Sequence, residues 1–164
     1  MFLPKLYLEK VEDLEPESLI KKGIKGVIVD LDNTIAPRGE GAVPSGIREW
    51  IKRIQSLGID VVLISNSPSS RTQKYAQELG LAWIANALKP LPMAFIRASK
   101  KMNIPLKSLA VVGDQVFTDV LGGNICGAFT VLVSPLSKKT DFFTTKFVRV
   151  FERFILRKFK KGGG

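Results

Sequence analysis

Short runs of β-branched residues alternate with longer amphipathic stretches, and that alternation restricts the chain to βα units wound around a mainly parallel sheet. Gly26 to Leu31 (GVIVDL), Asp60 to Ile64 (DVVLI), Leu109 to Val112 (LAVV) and Phe129 to Val133 (FTVLV) read as buried strands, with a weaker one over Leu81 to Ile84. Between them, Ser45 to Leu57 repeats apolar residues at Ile47, Trp50, Ile51 and Ile54, as a helix packed on a sheet does. Ser69 to Leu79 is a second helix, closed by Gly80, and Pro92 to Met102 a third, opened by its proline. The expected fold is α/β: a three-layer, Rossmann-like arrangement. With 164 residues, 45% of them hydrophobic, and no internal repeat or linker, residues 1–161 are expected to form one domain, and 162–164 a disordered tail.

The chain has no histidine. Ser/His/Asp and Cys/His nucleophile pairs and the HExxH zinc site are thereby excluded, so catalysis must run on carboxylates, lysine or a metal. Cys126 is the only cysteine, so it has no internal disulfide partner; it reads as a small core residue in a reducing compartment. Acidic residues interrupt the N-terminal MFLPKLYLEKVEDLEPE before an apolar run reaches signal-peptide length, and no window approaches a membrane span. The expected location is cytoplasmic, with a peripheral position on the inner face of the membrane left open by the basic tail.

In open α/β sheets, ligands bind beyond the carboxyl ends of the strands, which directs attention to the polar residues there. The first strand ends in VDLDNT, which spaces Asp30, Asp32 and Thr34 one residue apart. The second ends in ISNSP, with Ser65 and Asn66 at its tip; Lys89 follows the weak third strand, and GDQVFTD brings Asp114 and Asp119 after the fourth. Each segment alone also reads as an ordinary turn, a helix cap or a surface lysine. Together they supply what phosphate monoester hydrolysis needs: an attacking group, charge neutralisation at the phosphoryl oxygens, and a proton for the leaving alkoxide.

The order VDLDNT, Ser65, LKP at Lys89 and GDQVFTD resembles the four-motif pattern of the haloacid dehalogenase superfamily of phosphatases. The resemblance implies Asp30 as the nucleophile that forms an aspartyl-phosphate, and Asp32 as the general acid that later activates water. It implies that Ser65 and Lys89, with Asn66 and Thr34 beside them, hold the phosphoryl group. Mg²⁺ would bind to Asp30, the Asp32 carbonyl and Asp114, with Asp119 supporting the site directly or through water. About ten residues separate Thr34 from the Ser45 helix and about twenty-five separate Ser65 from Lys89, too few for an inserted cap domain. An open site of that kind suits a bulky substrate or one presented on a surface.

Within the superfamily, LEPESLIKKGIKG, ISNSP, GDQVFTDVLGGN and the basic tail resemble a branch of bacteria and mitochondria that includes phosphatidylglycerophosphate phosphatases. Ser67 departs from that branch, where a second Asn often follows Asn66. The net charge is +10, and between Lys138 and Lys161 nine lysines and arginines stand against Asp141 and Glu152, a balance of +7. Over 142–161 an apolar side of Phe147, Val148, Phe151, Phe154, Ile155 and Phe159 opposes Arg149, Arg153, Arg157 and Lys160. This basic amphipathic helix fits either a terminal helix packed on the sheet or a helix lying on an anionic membrane. The expected partner is a phosphate monoester, with a phospholipid favoured. The alternatives are a soluble phosphatase for a sugar phosphate, nucleotide or nucleic-acid end, and an RNA-binding protein with a vestigial site. Intact motif residues and the lack of an aromatic RNA-recognition motif argue against nucleic acid.

Overall fold

In the computed structural model, residues 1–137 are described, so the helix expected over 142–161 and the tail over 162–164 lie outside the described residues. Six strands form one sheet: β1 (Leu6–Leu8), β2 (Gly26–Asp30), β3 (Asp60–Ile64), β4 (Ala82–Ile84), β5 (Leu109–Gly113) and β6 (Phe129–Val133). Their order is β1-β6-β5-β2-β3-β4, and every neighbouring pair is parallel. The expected α/β class is borne out. The helices are α1 (Pro16–Lys21), α2 (Ser45–Ser56), α3 (Ser69–Leu79), α4 (Pro92–Met102) and α5 (Leu121–Ile125), the last preceded by a π-helical turn over Val116–Val120.

Strand β2 is buried along its whole length, which explains its unbroken apolar run. Its alternate residues feed two cores. Val27, Val29 and Leu31 join Ile47, Trp50, Ile51 and Ile54 of α2 and Tyr75 and Ala76 of α3. Ile28 joins Ala94, Phe95 and Ala98 of α4 on the opposite face. Helix α3 ends as expected at Gly80, with φ +66°, where a side chain would be strained.

Three local differences from the expectations have physical reasons. Strand β1 is a three-residue edge strand paired with β6 through Leu6 and Val131, too short to show a period. Helix α1 has only six residues and takes its stability from packing, with the Trp50 indole donating to the Leu14 carbonyl at 2.8 Å just ahead of it. Cys126 is half-buried at the margin of the second core, where burial raises its thiol pKa, and is not the enclosed core residue expected.

From β2 the chain moves outward to β3 and β4, then returns to β5 on the other side and moves outward again to β6. The loops leaving β2 and β5 therefore diverge, and the crevice between them is the switch point where such sheets bind ligands. Close packing of α5 on α4 braces that crevice. A Cβ on Gly122 would lie 2.4 Å from the Phe95 ring and 3.2 Å from the Pro90 carbonyl oxygen, next to Lys89. Gly122→Ala should therefore destabilise the fold by about 1–3 kcal/mol through overpacking. Urea unfolding would read this as a lower midpoint, with partial recovery when Phe95→Leu is added.

Candidate active site

Asp30 is the last residue of β2 and is 5% exposed. Directly after it the chain turns tightly, the Leu31 carbonyl accepting from the amides of Ile35 at 3.0 Å and Ala36 at 3.1 Å. Asn33 takes the left-handed conformation, φ +63°, which asparagine tolerates better than most residues. The turn folds Thr34 back, so that its hydroxyl donates to Asp30 Oδ2 at 3.3 Å and lies 3.5 Å from Asp114 Oδ1.

Asp114 and Asp119 arrive from β5. The Asp119 carboxylate accepts from the Gln115 amide at 3.2 Å, and it lies where a side chain on Gly113 would otherwise be, since a Cβ there would sit 2.2 Å from Asp119 Oδ2. The π-helical turn delivers this residue inward; such turns recur at functional sites. Lys89 enters from the turn after β4, and its Nζ donates to Asp119 Oδ1 at 2.6 Å and to Asp30 Oδ1. Asn66 fixes that turn through paired bonds, accepting from the Lys89 amide at 2.8 Å and donating to its carbonyl at 3.3 Å.

Oxygens of Asp30, Asp114 and Asp119 lie within 4.8 Å of one another, and all three residues are buried. Of the three converging carboxylates, two contact the Lys89 ammonium and the third does not, a donor set that fits a hard divalent cation bound through oxygen. The pKa pattern agrees. Burial, opposed by Lys89 and assisted by repulsion from Asp119, pushes Asp30 up to about 7. Burial and the charges of Asp30 and Asp119 raise Asp114 well above the usual carboxylate range. Lys89 is raised despite its burial, because Asp119 and Asp30 hold it charged.

Asp32 sits on the opposite wall. Ser67 donates to Asp32 Oδ2 at 2.6 Å and Ser65 at 3.0 Å, while Arg71 reaches Oδ1 through Nε at 3.0 Å and through its terminal nitrogen at 2.9 Å. Burial pushes Asp32 up, but the bonds from Ser67 and Arg71 outweigh it and hold its pKa below the ordinary carboxylate value. Ser65 and Asn66, expected on the phosphoryl group, bond Asp32 and the Lys89 backbone here. The Asp32 side chain stands apart from the three-carboxylate cluster. Ser67, where the sequence departs from its likeness, makes the shortest of these bonds.

Arg71 escaped the sequence reading. It also donates to the carbonyls of Pro37, at 2.8 Å, and Gly39, and packs 5.0 Å from the Tyr75 ring centre. A usable signal existed: a cation in the first turn of a helix opposes the helix dipole unless a carboxylate faces it. A cleft of about 830 Å³ opens over these groups, with the buried Asp30 and Lys89 on its floor and Asp32, Arg38, Arg71 and Lys74 among the residues around them.

Between Thr34 and α2 there is only a short loop, and between Ser65 and Lys89 only α3 and β4, so among the described residues no inserted domain covers the cleft. The chain shares its fold with a cobalt-bound deoxy-D-mannose-octulosonate 8-phosphate phosphatase of Haemophilus influenzae, at TM-score 0.55 and 17% identity over 83% of this chain and 89% of that one. That likeness concerns the fold; with the family model and the relative described next, the class is an uncapped haloacid dehalogenase-type phosphatase. More narrowly, the chain belongs to the family described as mitochondrial PGP phosphatase, whose model matches residues 1–136. It is 37% identical to the probable phosphatase YqeG of Bacillus subtilis over 99% of this chain and 94% of that protein. It is 29% identical to phosphatidylglycerophosphate phosphatase 1 of Arabidopsis thaliana over 98% of this chain, which spans only 49% of that relative's length.

Because a carboxyl titrating near 7 must lose its proton to bind a cation, divalent-metal affinity should strengthen about tenfold between about pH 6 and pH 8. Calorimetric titration with Mg²⁺ or Mn²⁺ measures this. An affinity flat across that range would place the bound ion away from Asp30.

Proposed function

We propose that this phosphatase hydrolyses phosphatidylglycerophosphate at a membrane surface, with Asp30 as nucleophile and Mg²⁺ as its cation. One observation carries the reaction: the Asp30 carboxylate lies on the floor of an open cleft, held between the Lys89 ammonium and the Asp114 and Asp119 carboxylates. Asp30, Asp114 and Asp119 would hold the cation, with the Asp32 carbonyl as a further ligand. When bound, the ion neutralises charge on the phosphoryl oxygens and keeps Asp30 ionised.

An Asp30 oxygen attacks phosphorus, the bond to the ester oxygen breaks, and the departing alkoxide takes a proton from Asp32. Asp32 begins as a carboxylate held by Arg71, so it gains that proton as the substrate docks; a phosphate monoester has its second ionisation near pH 6 and can supply one. Asp32, again a carboxylate, then removes a proton from water. The resulting hydroxide attacks the aspartyl-phosphate and breaks its bond to Asp30, and the departing phosphate takes the proton back from Asp32, so that both carboxylates are restored. Lys89 stays charged throughout and faces the phosphoryl oxygens, while Thr34 orients Asp30 and Asp114. Ser65 and Asn66 act through Asp32 and the Lys89 turn, which supports a positioning role beside the phosphoryl contacts the sequence suggested.

The substrate assignment rests on the family membership, on the likeness to the phosphatidylglycerophosphate phosphatase of Arabidopsis and on the lack of a cap among the described residues. No helix among the described residues is long and apolar enough to cross a membrane, so contact with lipid would be peripheral. The basic segment expected over 142–161 would contribute to it by attraction to anionic headgroups.

Asp30→Asn should abolish turnover and covalent phosphate capture while leaving the fold intact, read by radiolabel trapping and circular dichroism. Lys89→Ala should lower kcat/KM on an aryl phosphate by well over about tenfold, or roughly 1.4 kcal/mol; a smaller loss would remove Lys89 from the transition state. In a substrate panel with Mg²⁺, phosphatidylglycerophosphate should be turned over faster than sugar phosphates, nucleotides or nucleic-acid ends. The reverse order would leave a soluble phosphatase.

A further inference from the structure

The turn joining β4 to α4 has an inverted burial pattern. Leu88, Leu91 and Met93 are 69%, 55% and 64% exposed, whereas Lys89 among them is 7% exposed. Leu88 adopts φ +54°, a left-handed conformation that crowds the Cβ of a leucine. The Leu91 amide closes the turn onto the Leu88 carbonyl at 3.0 Å, and the Asn66 bonds pin its inner side. Three apolar side chains are thus held outward, beside the cleft, by the same turn that sends the lysine inward. Single exposed apolar residues are ordinary on soluble proteins, but three on one rigid turn make a patch.

The surroundings of the patch are cationic. The turn pairs with the loop after β3, the Asn86 amide donating to the Ser67 carbonyl at 3.1 Å and the Ala87 amide to the Ser65 carbonyl at 3.0 Å. That loop leads into α3, whose Arg71 and Lys74 line the cleft with Arg38 across from them. Arg38 and Lys74 have no carboxylate within ion-pair distance among the described residues. An apolar tip next to unpaired cations matches the layering of an anionic lipid surface, with acyl chains below and phosphates above. A second copy of this chain matches it poorly, since two-fold pairing through the tip would bring two cationic cleft mouths together.

We propose that the Leu88–Met93 turn docks the protein on an anionic lipid surface, with Leu88, Leu91 and Met93 entering the interface and Arg38 and Lys74 meeting headgroup phosphates. This deepens the lipid-phosphatase reading and rests on it for the substrate. Docking through the rim would set the cleft floor against the headgroup layer, an orientation that general attraction of basic residues to anionic lipid does not impose.

The full chain carrying L88N, L91S and M93Q tests this, asparagine being tolerant of the left-handed backbone at position 88. Hydrolysis of a soluble aryl phosphate should stay within about twofold of wild type. Binding to vesicles of phosphatidylglycerol and phosphatidylcholine, measured by sedimentation at high salt so that apolar insertion dominates, should weaken at least about fivefold. Hydrolysis of vesicle-borne phosphatidylglycerophosphate should fall in step, while hydrolysis in detergent micelles should not. Unchanged vesicle binding, no vesicle binding by the wild type, or a wild-type dimer that the substitutions dissociate would each overturn the proposal. The two readings fail separately: rim-dependent binding without lipid hydrolysis keeps the docking and removes the substrate, whereas equal hydrolysis of vesicle lipid by both proteins keeps the substrate and removes the docking.

Discussion

A single ammonium among three buried carboxylates organises this molecule. Lys89 contacts Asp30 and Asp119, and Asp114 lies close enough to share a cation with both. Burying like charges together is costly in a medium of low dielectric, and one lysine cannot offset three aspartates. The remainder must be met by protons or by a metal, which is why Asp30 and Asp114 are both raised. The residues arrive from three different loops, so the sheet order, the tight turn after β2 and the π-helical turn after β5 all serve one electrostatic demand. A catalytic site is thus also the least self-sufficient part of the fold.

The opposite wall solves the converse problem. Asp32 is matched one carboxylate to one guanidinium, and two serine hydroxyls complete its set of partners.

 Arg71 ties that shell to the 37–39 loop through backbone carbonyls, so the two aspartates of VDLDNT, two residues apart in sequence, sit in opposite electrostatic environments. One is crowded by negative charge and the other is surrounded by donors. In the mechanism proposed above, that contrast is what separates a nucleophile from an acid-base group without any histidine.

The parts legible in the sequence were those with strong periodic or positional signals. The buried runs of β2, β3, β5 and β6 could hardly be other than central strands, and Gly80 and Pro92 marked helix ends through backbone conformation alone. Asp30, Asp114 and Lys89 could be singled out because strand ends in this architecture converge. What stayed hidden was set by contacts between distant segments. Strand β1 is defined by pairing with β6 more than a hundred residues away, and α1 by its packing rather than its propensity. The partners of Ser65, Asn66 and Arg71 depended on side-chain directions that spacing does not specify, and the inward aim of Asp119 depended on the missing side chain of Gly113.

The sheet order also bears on how the molecule is made. Strand β2 can pair with β3 soon after synthesis, but its other neighbour is β5, with Val29 opposite Val112. At about 5–20 residues per second, Asp114 leaves the ribosome roughly 4 to 17 s after Asp30. Throughout that interval one edge of β2 is open, and even once Lys89 has been made its terminal aspartate lacks the two fellow carboxylates. The nascent chain therefore passes through a stage that lacks the three-carboxylate cluster, and an ion bound by that cluster would stabilise only the finished topology.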